Sequence, residues 1–239
     1  MEQTKQRIEL MDAMRGLALC LMVIHHFLYD LVVFAGAPSW FFWNPVFEVL
    51  HYFFAGLFIL LSGVSSNFSR SNVKRGLKAL AVALGITVVT YFMGMTIVFG
   101  VLHLLGSCML LYGLTQDFWP RVNGKAPWVV PVLCVVGILA TAKLVNGYPT
   151  ETPHLWMFGL TTAGFYSSDY FPLLPWMFVF LLGAWAGKYV RDGRLPQWFY
   201  AAKAPRLAAI GRRSLLIYVV HQPALYALTM LGLLLFGGR

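Results

Sequence analysis

RIELMDAMRGLALCLMVIHHFLYDLVVF, from Arg7 to Phe34, decides the fold. It is long and apolar enough to cross a bilayer as one helix, yet it carries Asp12, Arg15, His25, His26 and Asp30. Ionisable groups in hydrocarbon are costly, so each requires a partner, a water-filled cavity or a chemical task. At about 100° per residue, His26 falls roughly 20° and Asp30 roughly 60° from Arg15, whereas His25 points about 100° away from His26. Arg15, His26 and Asp30 therefore share one face, with Arg15 and His26 roughly 16 Å apart along the axis.

The rest of the chain has the same character. Of its 239 residues 59% are hydrophobic and 11% charged, against about 25% charged in a soluble domain. The apolar stretches lack the alternation of an outer-membrane barrel. An all-α, polytopic integral membrane bundle is expected, forming a single domain over 1–239. Seven spans are read: 10–34, 45–64, 76–93, 96–114, 128–144, 172–190 and 214–236. The first is too long for a signal-peptide core and lacks a small-residue cleavage site, so it is expected to be retained. Residues 145–171 read as a partly folded cap or a re-entrant segment, and 198–203 as a short interfacial helix. Ser214 reads as the cap of the last span. Cys20, Cys108 and Cys134 all fall in apolar stretches and read as small buried hydrophobes.

Charge placement orients the bundle. With a cytoplasmic N-terminus and an extracytoplasmic C-terminus, only Lys143 and Arg239 of the eighteen Lys and Arg face outward. That is a strong positive-inside bias. It accounts for the net charge of +9 without nucleic acid. A basic inner surface attracts anionic lipid headgroups and, equally, a phosphorylated cytosolic cofactor.

Depth along each span then sorts the polar groups. His26, Asp30, Glu48, His51 and His103 are expected to converge in an outer-half cavity, with Glu48 and His51 on one face of the second span. His221, entering from the inside, is expected near the level of Arg15. Three readings stay open for His26: a structural histidine bonded across helices, an acid–base histidine oriented by Asp30, or a metal ligand. No HxxxH or HExxH spacing supports a metal. Arg15 with Asp12 reads either as a salt bridge locking the bundle or as an anion-binding arginine. Gly183 and Gly187 form a GxxxG suited to close helix crossing. Pro172 and Pro175 suit a helix start.

Several segments carry a family likeness: RIELMDAMRGLALCLMVIHHFLYD, LSGVSSNFSR (Leu61–Arg70), GVLHLLGSCMLLYG (Gly100–Gly113), FPLLPWMFVFLLGAWAGKY (Phe171–Tyr189) and IGRRSLLIYVVHQP (Ile210–Pro223). In this order they resemble the transmembrane acyltransferase superfamily, in particular small bacterial proteins similar to the catalytic domain of heparan-alpha-glucosaminide N-acetyltransferase. The resemblance implies a multi-pass protein of the bacterial inner membrane. It implies an acyl-CoA donor, with acetyl-CoA the expected one, approaching from the cytoplasm. The Arg15–His26 spacing matches the family's and favours His26 over His25 as the acyl-transfer base, with Asp30 orienting it. Arg15, Arg75, His221, Arg212 and Arg213 are expected toward the cofactor, and Glu48, His51, His103 and Trp176 toward the acceptor. The eukaryotic members have a large luminal domain and more spans, so heparan specificity is not carried over. The expected acceptor is an amine or hydroxyl of an extracytoplasmic glycan or small molecule. No metal is expected, and assembly is left open between monomer and homodimer. The alternative is a transporter whose polar residues line a substrate or proton path, for which no internal repeat or broken first helix speaks.

Overall fold

The computed structural model describes residues 7–119, 124 and 126–236. Lys5, Arg121, Lys125 and Arg239 of the charge count lie outside them. Among the described residues the α-helices bounded in full are, in chain order, α1 (Glu9–Val33), α2 (Pro45–Ser65), α3 (Asn72–Phe92), α4 (Val101–Leu114), α5 (Val129–Thr141), α6 (Leu173–Arg191), α7 (Gln197–Ala201), α8 (Pro205–Arg212) and α9 (Ser214–Phe236). Five of them, α1, α2, α3, α6 and α9, are long and apolar enough to cross a membrane, and α4 and α5 are shorter apolar helices. Large apolar side chains point outward along them, Phe92, Leu139 and Leu234 among them. Such surface is tolerated where the solvent is hydrocarbon, and a helix satisfies its own backbone there.

The chain divides into two compact units, one of Met1–Phe58 with Leu195–Arg239 and one of Ile59–Arg194. In the first, α8 crosses α1 at backbone distance. A Cβ on Gly16 would overlap the Leu207 carbonyl, and one on Gly211 would overlap the Asp12 carbonyl. Ala13 and Ala208 are buried in the same unit. Small residues allow such an approach in helix pairs. Glu9 secures the start of α8: its Oε1 accepts from the Ala204 amide at 2.8 Å and its Oε2 lies 3.6 Å from Lys203 Nζ. The short helix expected at 198–203 is α7, whereas α8 was not anticipated. Ser214 does not cap α9; its hydroxyl donates back to the Gly211 carbonyl in the turn out of α8.

In the second unit the GxxxG glycines do pack. A Cβ on Gly183 would meet the Leu60 carbonyl, and one on Gly187 the Val64 carbonyl. Residues 145–171 contain no re-entrant helix. They form a cap in which β1 (Tyr148–Pro149) pairs in parallel with β2 (Leu160–Thr161), around a turn at Trp156–Phe158. Pro149 and Pro153 deny this stretch the donors that a helix needs. The Tyr170 hydroxyl donates to the Trp156 carbonyl at 2.5 Å, and burial pushes its phenol up to about 12.

Candidate active site

The N-terminal end of α1 is built on one carboxylate. Asp12 is 2% exposed, and three guanidinium groups reach it. Arg7 Nε lies 2.6 Å from Oδ2, Arg15 Nη1 2.7 Å from Oδ1, and Arg212 Nε 3.5 Å from Oδ2. Arg15 is one turn along α1, a spacing that lets the two side chains meet. Arg212 comes from the end of α8, held there by the Gly211 contact. Three cations on one anion leave this end of the helix positive. Arg213 follows, exposed.

Toward the other end of α1 four histidine rings form a row. His51 on α2 meets His25 edge-on at 4.3 Å between centroids, His25 lies 5.8 Å from His26, and His26 meets His221 of α9 at 5.0 Å. Both ring nitrogens of His25 are buried without a hydrogen-bond partner among the described residues. Beyond the row, Asp30 Oδ1 accepts from Gln222 Nε2 at 2.9 Å, and Phe34 meets Tyr226 at 5.2 Å. Among the described residues no group of three or more His, Cys, Asp or Glu is arranged to hold a metal ion.

This geometry corrects several expectations. His221 sits at His26 and not at the level of Arg15. The α8 crossing occupies the level of Asp12 and Gly16, so α9 starts beyond it, and seven residues from Ser214 carry His221 about 10 Å further. Asp30 does not hold His26: one of its oxygens takes Gln222 and the other has no hydrogen-bond partner. The residues adjacent on α9, His221 and Gln222, have taken the two α1 groups separately. Glu48 stands exposed in the first turn of α2 and joins none of the histidines. His51, one turn on, faces His25 instead. The part of His25 in the row and the whole of Gln222 were missed; an amide directly after His221 was the available signal.

The remaining candidates belong to the second unit. His103 spends both nitrogens locally: Nδ1 accepts from the Gly100 amide at 3.2 Å, and Nε2 lies 3.2 Å from Thr87 Oγ1. The Thr87 hydroxyl donates to the Ile97 carbonyl at 2.6 Å, so Nε2 carries the proton toward it. That assigns His103 to fastening the start of α4. Asp169 of the cap adds to it by accepting from the Val101 amide at 3.2 Å. Trp176 is buried against Phe171. Arg75 reaches the Ser65 carbonyl at 3.4 Å and Asn72 Oδ1 at 3.3 Å.

A mainly helical chain with membrane-length spans, whose first span joins an arginine cluster to a histidine row, defines a class of membrane-embedded proteins with polar chemistry in the bundle. Within that class the chain belongs to the family described as heparan-alpha-glucosaminide N-acetyltransferase, catalytic, whose model matches residues 7–223. No curated protein and no solved structure matches the chain. Membership implies a membrane transferase of the acetyltransferase type; acetyl-CoA is the general donor of the family.

Proposed function

We propose that this protein moves an acyl group, acetyl by expectation, from cytosolic acyl-CoA to an amine or hydroxyl of an extracytoplasmic glycan or small acceptor. On this reading the chain crosses the bacterial plasma membrane seven times, with its N-terminus inside and its C-terminus outside. The observation that carries the proposal is the division of α1 into a cationic end at Asp12, Arg15 and Arg212 and a histidine row at His26, on one continuous helix. Arg15, Arg212 and Arg213 attract the phosphates of the donor. The acceptor heteroatom attacks the thioester carbonyl carbon while His26 takes its proton; the new C–N or C–O bond forms, the C–S bond breaks, and His26 returns the proton to the departing sulfur, so that coenzyme A leaves as the thiol. A base within reach of the acceptor proton is the element such a step requires. His221 and His51 stand on either side of the His25–His26 pair and complete the polar lining.

The test is equilibrium binding of acetyl-CoA to the detergent-purified protein. Affinity in the micromolar range is expected, weakened by salt and by Arg15→Ala. Absence of binding overturns the proposal and returns the polar residues to a transport path.

A further inference from the structure

The hydrogen-bond inventory of Asp30 and Gln222 does not balance for an ionised carboxylate. Asp30 is wholly buried. Its Oδ1 accepts from Gln222 Nε2 at 2.9 Å, while its Oδ2 and Gln222 Oε1 are both buried with no partner. An aspartate and an amide oxygen are both acceptors, so as an anion this pair leaves two acceptors facing no donor. Among the described residues no Lys or Arg is ion-paired with Asp30, whereas Asp12 has three. Other titratable groups in the same unit are His26, with His25 and His51 in its row, on the α1 and α2 side, and His221 and Tyr226 on α9, the latter against Phe34.

We propose that Asp30 is carried as the neutral acid, closed into an acid–amide ring with Gln222. Its Oδ2–H donates to Oε1 while Nε2–H donates to Oδ1, and a single proton satisfies both orphaned atoms. Gln222 is then a positioning residue. It fixes the rotation of α9 one residue beyond His221 and so holds His221 against His26. That consequence for His26 rests on the acyltransferase reading; the protonation of Asp30 does not.

Infrared spectroscopy of the purified full-length protein at neutral pH tests it without reference to turnover. A protonated-carboxyl C=O stretch is expected in the unaltered protein, lost in Asp30→Asn. The same band should move to higher frequency in Gln222→Leu, where the acid loses its ring partner. Gln222→Asn, polar but one carbon shorter, serves the same purpose if the leucine variant does not fold. An absence of any acid band removed by Asp30→Asn overturns the proposal, because Asp30 is then ionised and bridged by water. A band unmoved by either change at Gln222 overturns it as well, since the proton then goes elsewhere. Failure of acetyl-CoA binding, by contrast, would leave the band in place.

Discussion

Asp12 and Asp30 lie on the same helix, five turns or about 27 Å apart, and therefore on the same face of α1. Both are buried, and both are met by the C-terminal part of the chain, Asp12 by Arg212 and Asp30 by Gln222. Their surroundings differ in kind. Asp12 gathers three guanidinium groups, an arrangement that compensates a buried negative charge. Asp30 meets one neutral amide, which does not. Identical side chains thus hold one end of the helix by charge and the other by a hydrogen-bonded neutral pair. The cationic end suits a phosphorylated donor, and the uncharged end leaves the histidines beside it without a competing anion.

The largest effect is expected at the histidine row. His26→Ala should lower acetyl-CoA-dependent turnover by about 100-fold or more, the range for loss of a general base, with the unfolding temperature little changed. An equal loss in His25→Ala with His26→Ala unaffected would move the base to the neighbouring ring, whose nitrogens are both unpartnered. Next comes the stability of the charged end. Asp12→Ala strands three arginines around a site only 2% exposed and should cost about 3 kcal/mol or more, read by thermal or denaturant unfolding in detergent. The paired amide substitutions sharpen the contrast. Asp12→Asn removes the charge that three cations share, whereas Asp30→Asn can rebuild an amide–amide ring with Gln222, at a cost below about 1 kcal/mol. Equal losses in the two would mean that both aspartates are ionised.

The apolar runs were legible because hydrocarbon demands them. Expected spans 10–34, 45–64 and 214–236 differ from α1, α2 and α9 by a residue at most. Boundaries set by side-chain bonds were not legible in hydropathy. The third helix begins at Asn72, since Ser71 caps it through the Lys74 amide. The fourth begins at Val101 and not Thr96, because 96–100 is tied to the cap: the Ser168 amide donates to the Thr96 carbonyl, and the Val98 amide to Ser167. The eight residues of α8 escaped because their arginines read as loop, although Gly16 and Gly211 mark the crossing. Within the site, helical phase placed Arg15, His26 and Asp30 on one face. It could not assign their partners, which depend on where α9 starts relative to α1. That start is set by α8, the element the sequence concealed, and the misplacement of His221 follows from it.

The smallest expected effect tests whether the three arginines at Asp12 are equivalent. Arg7 makes the shortest contact, 2.6 Å, but its side chain is 64% exposed, against 18% for Arg15 at 2.7 Å. Distance alone would rank Arg7 first. Solvent reverses the order, because an exposed guanidinium is well hydrated once its partner is lost and its pairing is screened by salt. Arg7→Ala should therefore cost less than about 1 kcal/mol, and less again at high ionic strength. Arg15→Ala should cost more and depend less on salt. Denaturant unfolding of both variants at low and high salt separates the cases. A large, salt-independent loss in Arg7→Ala would show that water does not reach this end of α1. The cationic cluster would then be sealed from the cytosolic phosphates it is proposed to meet.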